Sequence, residues 1–263
     1  MPKIIAVAGK GGTGKTTLCG MIVKYLADRE SGQVLAVDAD PNSNLNEVLG
    51  VAAPETLGDI REEVLKNTSG DNMPGGMTKQ EYMDYMFGEA LVEEDDFDLL
   101  VMGRTQGEGC YCFINGILRS QIDKYSGIYS YIVIDNEAGL EHISRGTLPK
   151  VDTLILVSDC SRRGIQAAGR AAVLVEDLKL KPSTLKLVVN RAPDGIIAEG
   201  VLEEIKAQNL DLLGVIPQDE IIYQYDSEGK PIVDVPEDSP IKVAMRKILK
   251  ELKVNKIIIK AEG

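Results

Sequence analysis

The run Gly9-Lys10-Gly11-Gly12-Thr13-Gly14-Lys15-Thr16-Thr17 constrains this chain more than any other stretch. It fits the phosphate-loop pattern G-x-x-x-x-G-K-[ST] through Gly9, Gly14, Lys15 and Thr16. Glycines let the backbone curl so that successive N–H groups point inward at a polyphosphate. Lys15 then reaches the β- and γ-phosphates, and the Thr16 hydroxyl coordinates Mg²⁺. The flanks supply the required context: Lys3 to Ala8 reads as a buried strand, and Thr16 to Ala27 as a helix whose N-terminus faces the anion. A strand, glycine loop and helix in this order predict an α/β domain that binds a nucleoside triphosphate.

Further apolar strands end in chemistry-bearing residues. Gln33 to Asp40 closes on Asp38 and Asp40, Tyr131 to Asp135 on Asp135, Leu185 to Asn190 on Asn190-Arg191, and Leu213 to Pro217 on Gln218-Asp219. Ligands sit at such C-terminal strand edges in doubly wound sheets. Two acids before a proline also suit a turn or helix cap, and Asn-Arg at a strand end also suits a turn. With Phe97–Met102 and Thr153–Ser158, strand and helix signals alternate along the chain without a linker. The expectation is a single domain over residues 1–263: a doubly wound α/β fold with a mostly parallel sheet of about seven or eight strands.

Composition narrows the partners. A net charge of −12 argues against tracking nucleic acid, which needs a basic excess. The N-terminus enters the first strand at once, no apolar run is long enough to span a bilayer, and four cysteines make no disulfide framework. These features lead to the expectation of a cytoplasmic protein.

Cys110-Tyr111-Cys112 stands apart. The pair is expected in a glycine-flanked loop (Gly103, Gly107, Gly109) between the strand Phe97–Met102 and a helix Phe113–Ile122. Two thiolates this close can chelate one soft cation, but Zn²⁺, Ni²⁺ and Cu⁺ sites usually want three or four ligands. The chain has a single histidine, His142, while Cys19 and Cys160 read as small buried hydrophobes. A two-fold dimer would bring two Cys-x-Cys pairs together and complete a four-sulfur site. Unremarkable loop cysteines fit the spacing as well. Met73, Met77, Met83 and Met86 read as a loop leading into an amphipathic helix, and Glu93-Glu94-Asp95-Asp96 as a solvated approach to the next strand.

Lys10 inside the loop, giving Lys-Gly-Gly-x-Gly-Lys-Thr-Thr, resembles the deviant phosphate-loop ATPases. That class includes the septum-site and chromosome-partition ATPases, the arsenite-pump ATPase and the nitrogenase iron protein. The resemblance implies that Lys10 reaches across a dimer interface to the partner's nucleotide, as an arginine finger does. Asp40 would orient the attacking water, Asp38 support the loop and the Mg²⁺ hydration shell, and Asp135 hold Mg²⁺ through water. Asn136-Glu137-Ala138-Gly139 would sense the γ-phosphate. Asn190, Arg191, Pro217 and Asp219 would flank adenine.

Within that class the chain resembles the CooC-type nickel-insertion ATPases. The resemblance is carried by residues 10–17, Val-Asp-Ala-Asp-Pro at 37–41, Cys-x-Cys at 110–112, Asp-Asn-Glu-Ala-Gly-Leu-Glu-His at 135–142 and Val-Asn-Arg at 189–191. It implies an ATP-hydrolysing metallochaperone that holds Ni²⁺, with Zn²⁺ as a substitute, on Cys110 and Cys112 shared across a homodimer. Its client would be a nickel enzyme such as carbon monoxide dehydrogenase. The chain departs from members with a histidine-rich tail. Three alternatives stay open. A positioning ATPase would use the basic, apolar stretch Ile241 to Lys260 (Lys242, Arg246, Lys247, Lys250, Lys253, Lys256, Lys260) on a membrane. An electron donor like the iron protein would hold a [4Fe–4S] cluster, although Gly139-Leu140-Glu141-His142 lacks that family's second cysteine. A metal-independent signalling ATPase would leave the cysteines unused.

Overall fold

The computed structural model describes residues 2–29, 32–67, 76–104, 111–137 and 151–252. Its strands are β1 (Lys3–Gly9), β2 (Val34–Ala39), β3 (Leu91–Glu93), β4 (Asp98–Val101), β5 (Tyr131–Asn136), β6 (Thr153–Asp159), β7 (Thr184–Ala192) and β8 (Leu212–Pro217). They form one sheet in the order β3-β4-β2-β5-β1-β6-β7-β8. Every pairing is parallel except that of β3 with β4.

A strand with one solvated face alternates in polarity, whereas one covered on both faces does not. β1 is of the second kind. Ile4, Ala6 and Ala8 enter a core with Leu118, Ile122 and Ile165. Ile5 and Val7 enter the opposite core with Leu18, Ile22 and Ile248. Helices on both faces follow from this: α1 (Lys15–Ala27), α2 (Leu45–Leu49), α3 (Leu57–Asn67), α4 (Lys79–Glu89), α5 (Tyr111–Tyr125), α6 (Arg162–Asp177), α7 (Glu199–Ala207), α8 (Glu220–Ser227) and α9 (Pro240–Glu251).

Each expected strand is present, with ends moved by a residue or two. β3 was not anticipated: three residues carry too little pattern to read, and the strand exists by pairing antiparallel on the sheet edge. The acidic run Glu93–Asp96 is exposed at the turn into β4, as a solvated approach should be. Met83 and Met86 fall in α4, whose start is fixed by a capping box between Thr78 and Glu81. Met77 is exposed just before it. Met73 lies outside the described residues.

α5 corrects one reading. The helix begins at Tyr111 rather than Phe113, so Cys112 falls in its first turn and not in a loop. The sequence signal was weak there, because the residue immediately before Tyr111 is Cys110, which is not a favoured N-cap type. α9 places Ile241, Met245, Ile248 and Leu249 in the core at helical spacing. Lys242 and Arg246 on its other side both pair with Glu237. This part of the basic stretch therefore packs on the domain, while Lys253, Lys256 and Lys260 lie outside the described residues. Among the described residues no helix is long and apolar enough to cross a membrane.

Candidate nucleotide site

At the C-terminal edge of the sheet a cleft opens in two compartments, of about 1000 and 960 Å³, which share Gly14, Thr17 and Arg191. The loop between β1 and α1 forms the floor of the first. Thr13 closes it by donating to Lys10 O from its hydroxyl (2.9 Å) and its amide (3.4 Å). Gly14 caps α1 with φ +91°, a left-handed conformation that glycine adopts without strain. The first-turn amides of α1 have no carbonyl within the helix and supply donors for an anion. Lys15 is buried at 7% exposure, whereas Lys10, Gly11 and Gly12 are exposed.

Two buried acids accompany this buried lysine, whose charge acts on Asp135. Asp38 and Asp135 are paired across β2 and β5 and are both buried. Asp38 accepts from the amides of Asp40 (3.0 Å) and Leu45 (2.9 Å), tying the end of β2 to the start of α2. Burial nonetheless outweighs those bonds and pushes its carboxyl up to about 6. Burial likewise pushes Asp135 up to about 7, against a hydrogen bond from Thr16 and with help from the charge of Asp38. The Cys19 thiol is driven well above its ordinary value by burial, then by Asp135 and Asp38, and bonds to Asp135. Cys19 is fully buried, as expected, and Cys160 partly so.

The site fits Mg²⁺ on its own chemistry. Asp135 Oδ1 is buried without a hydrogen-bond partner, as is Asn136 Oδ1, and an unpaired buried oxygen is costly unless something meets it. Thr16 and Asp135 would hold the ion, Thr16 directly and Asp135 through water, with Asp38 beside them. The ion would supply charge neutralisation for a polyphosphate that Lys15 alone cannot balance.

The second compartment lies between the ends of β7 and β8 and helix α8. Asn190 Nδ2 donates to Thr13 O at 2.8 Å, and Asn190 Oδ1 accepts from the Arg191 amide at 2.9 Å. The amide expected at a purine edge is thus also the prop under the phosphate loop. Arg191 adopts φ +55° where the β7–β8 register shifts, which turns the strand into the cleft. Pro217 and Asp219 line the same compartment. Asp219 also caps two helices, accepting from Ile221 N and Ile241 N at 3.2 Å each. Sequence reasoning missed Tyr223 and Asp226 on α8 and Asn42 after Asp40, all of which line the cleft. Only Asn42 carried a signal, as the third residue of an Asp-Pro-Asn turn.

Lys10, Lys15, Asp38, Asp40, Asp135, Asn190, Arg191, Pro217 and Asp219 therefore gather at one edge. Cys110, Ala138, Gly139 and His142 lie outside the described residues. Among the described residues no group of three or more His, Cys, Asp or Glu side chains is arranged to hold a metal.

Comparison with known proteins agrees with this geometry. Residues 4–232 match the family model described as the CobQ/CobB/MinD/ParA nucleotide binding domain. An uncharacterised ATP-binding protein of Methanocaldococcus jannaschii is 42% identical over 96% of this chain and 99% of its own. The carbon monoxide dehydrogenase accessory protein CooC of Rhodospirillum rubrum is 31% identical over 88% of this chain and 89% of its own. The cell-division ATPase MinD of Pyrococcus furiosus superposes with a TM-score of 0.71 at 26% identity, covering 96% of this chain and 99% of that one. A phosphate loop propped by Asn190, a buried acid pair beneath it and an eight-stranded doubly wound sheet place this chain in the CobQ/CobB/MinD/ParA family of phosphate-loop ATPases.

Proposed function

We propose that this protein is an ATP-hydrolysing metallochaperone of the cytoplasm that carries Ni²⁺ on Cys110 and Cys112 and helps insert it into a nickel enzyme such as carbon monoxide dehydrogenase. The observation that carries the reading is the Cys110-x-Cys112 pair in a chain 31% identical to a carbon monoxide dehydrogenase accessory protein. The pair follows β4 in the sequence, and Cys112 falls in the first turn of α5. ATP sits with its phosphates on residues 11–17, held by Lys15. Its base lies by Asn190, Arg191, Pro217 and Asp219. Asp40 orients the attacking water, Lys10 of a second copy neutralises charge on the transferred phosphoryl group, and Gly139 reports the γ-phosphate. Two chains facing each other unite their cysteine pairs into one four-thiolate site, and hydrolysis releases the ion. The docking of α9 on the domain supports this reading over a membrane-bound positioning ATPase.

The test is metal stoichiometry of anaerobically purified protein. One Ni²⁺ or Zn²⁺ per dimer is expected, with dimerisation promoted by metal alone and protons released on binding. Cys110→Ser or Cys112→Ser should abolish these effects and leave ATP affinity intact. Full-affinity metal after loss of both cysteines, or one metal per isolated monomer, would refute the proposal. Four irons and four sulfides per dimer would establish an electron donor instead.

A further inference from the structure

Asp40 is not held by the phosphate loop. Its Oδ1 accepts from the Asn42 amide nitrogen at 2.9 Å and from Asn42 Nδ2 at 3.0 Å. Asn42 Oδ1 in turn accepts from Arg104 Nη2 at 2.5 Å, across 62 positions of sequence. A carboxylate only accepts and a guanidinium only donates, so a primary amide suits the link between them, and its orientation is fixed by its neighbours. Both bonds to Asp40 fall on Oδ1, which fixes the plane of the carboxyl group.

The far end of this chain of bonds is anchored. Met102 N donates to Asp38 O at 2.8 Å, and Gly58 N to Met102 O at 2.9 Å. Gly103 has φ +68°, and a Cβ there would lie 2.0 Å from Thr56 Oγ1. A Cβ on Gly58 would lie 2.2 Å from Arg104 O. Thr56 is itself pinned, its hydroxyl donating to Asp59 Oδ2 at 2.7 Å. The backbone at 102–104 is thus bonded and closely packed between β2 and the start of α3.

We infer that Asn42 and Arg104 are positioning residues for ATP hydrolysis, acting in series to hold Asp40 with Oδ2 presented to the attacking water. The inference rests on the assignment of Asp40 as the water-orienting group. Arg104 holds and polarises the Asn42 amide, and the amide holds Asp40. Arg104 also precedes Cys110 by six positions, so the same anchor stands at the root of the cysteine-bearing segment.

Steady-state ATP hydrolysis by the full chain tests this. Arg104→Ala and Asn42→Ala should each lower kcat about tenfold or more, because small misplacement of a positioned group is costly. KM for ATP and melting temperature should hardly move, since Asn42→Ala keeps the backbone bond to Asp40. Arg104→Lys, with one donor group, should recover part of the rate. The Asn42→Ala, Arg104→Ala double variant should be no slower than the slower single. In an Asp40→Ala background, Arg104→Ala should change the residual rate less than about twofold, an outcome that a merely structural role would not give. The inference is overturned if Asp40→Ala abolishes hydrolysis while Arg104→Ala turns over like wild type. It is overturned equally if Arg104→Ala exerts its full effect without Asp40. Wild-type turnover by Asp40→Ala would instead remove the role of Asp40, and with it the foundation of this inference.

Discussion

Gly14→Ala isolates the contact between the phosphate loop and β7. Two costs can be worked from the geometry. At φ +91° an L-residue carries a left-handed penalty of about 1–2 kcal/mol. The new methyl would also lie 2.3 Å from Asn190 Nδ2, so the short, buried Asn190 side chain must move and give up its bond to Thr13 O. Breaking that bond leaves a buried carbonyl unpaired, at about 1–3 kcal/mol. The sum, about 2–5 kcal/mol, is a large part of a typical domain's stability. Urea denaturation without nucleotide measures it, and a second background separates the parts. In Asn190→Ala the obstacle is gone, and Gly14→Ala should cost only the backbone penalty. The cycle should therefore show a coupling of about 1–3 kcal/mol. Equal costs in the two backgrounds, or less than about 0.5 kcal/mol in the wild type, would refute the claim that Asn190 props the loop.

Three further outcomes are expected. Leu249→Ala, at a fully buried position of α9, should cost about 2–5 kcal/mol by denaturation; a cost near zero would mean that α9 is not part of the core. Lys10→Ala and Asp40→Ala chains, each inactive alone, should regain part of the ATPase activity when mixed; no rescue with heterodimers demonstrably formed would place the action of Lys10 within its own chain. Asp135 has a folded pKa of about 7 against 3.8 when exposed, so the folded state binds its proton more tightly. Metal-free protein should accordingly lose stability from this group as pH rises from about 4 to about 7, with no further loss above that range. Asp135→Asn should remove that decline, and Mg²⁺ at pH 8 should stabilise wild type more than the variant; identical melting curves across the pH series would exclude the effect.

Legibility in the sequence followed how local each signal was. β1 and its loop were readable because strand, glycines and lysine are contiguous. Asp38, Asp135 and Asn190 were readable because each ends an apolar run. The start of α5 at Tyr111 was not, because Cys110, the residue before it in sequence, is not a helix-start signal. Asn190 was read as a partner for the base, and its bond to Thr13 was invisible because it joins residues 177 positions apart. Arg104 had no local mark at all: only the pairing of β2 with β4 brings it beside Asn42. The double duty of Asp219 emerged from packing too, since α9 has no side-chain cap of its own at Ser239 and takes one from the end of β8.

The central place of β1 has a consequence for the order of events during synthesis. β1 leaves the ribosome before the other strands of the sheet, yet its neighbours are β5 and β6, with Lys3 opposite Tyr131 and Ile5 opposite Thr153. A doubly apolar strand must therefore wait for more than half of the chain, and such long-range parallel pairing is slow. The phosphate loop waits longer still, because Asn190 arrives only with β7. Ribosome-bound chains stalled before residue 190 emerges should hold no ATP, and until then β1 is an exposed apolar segment for chaperones to shield.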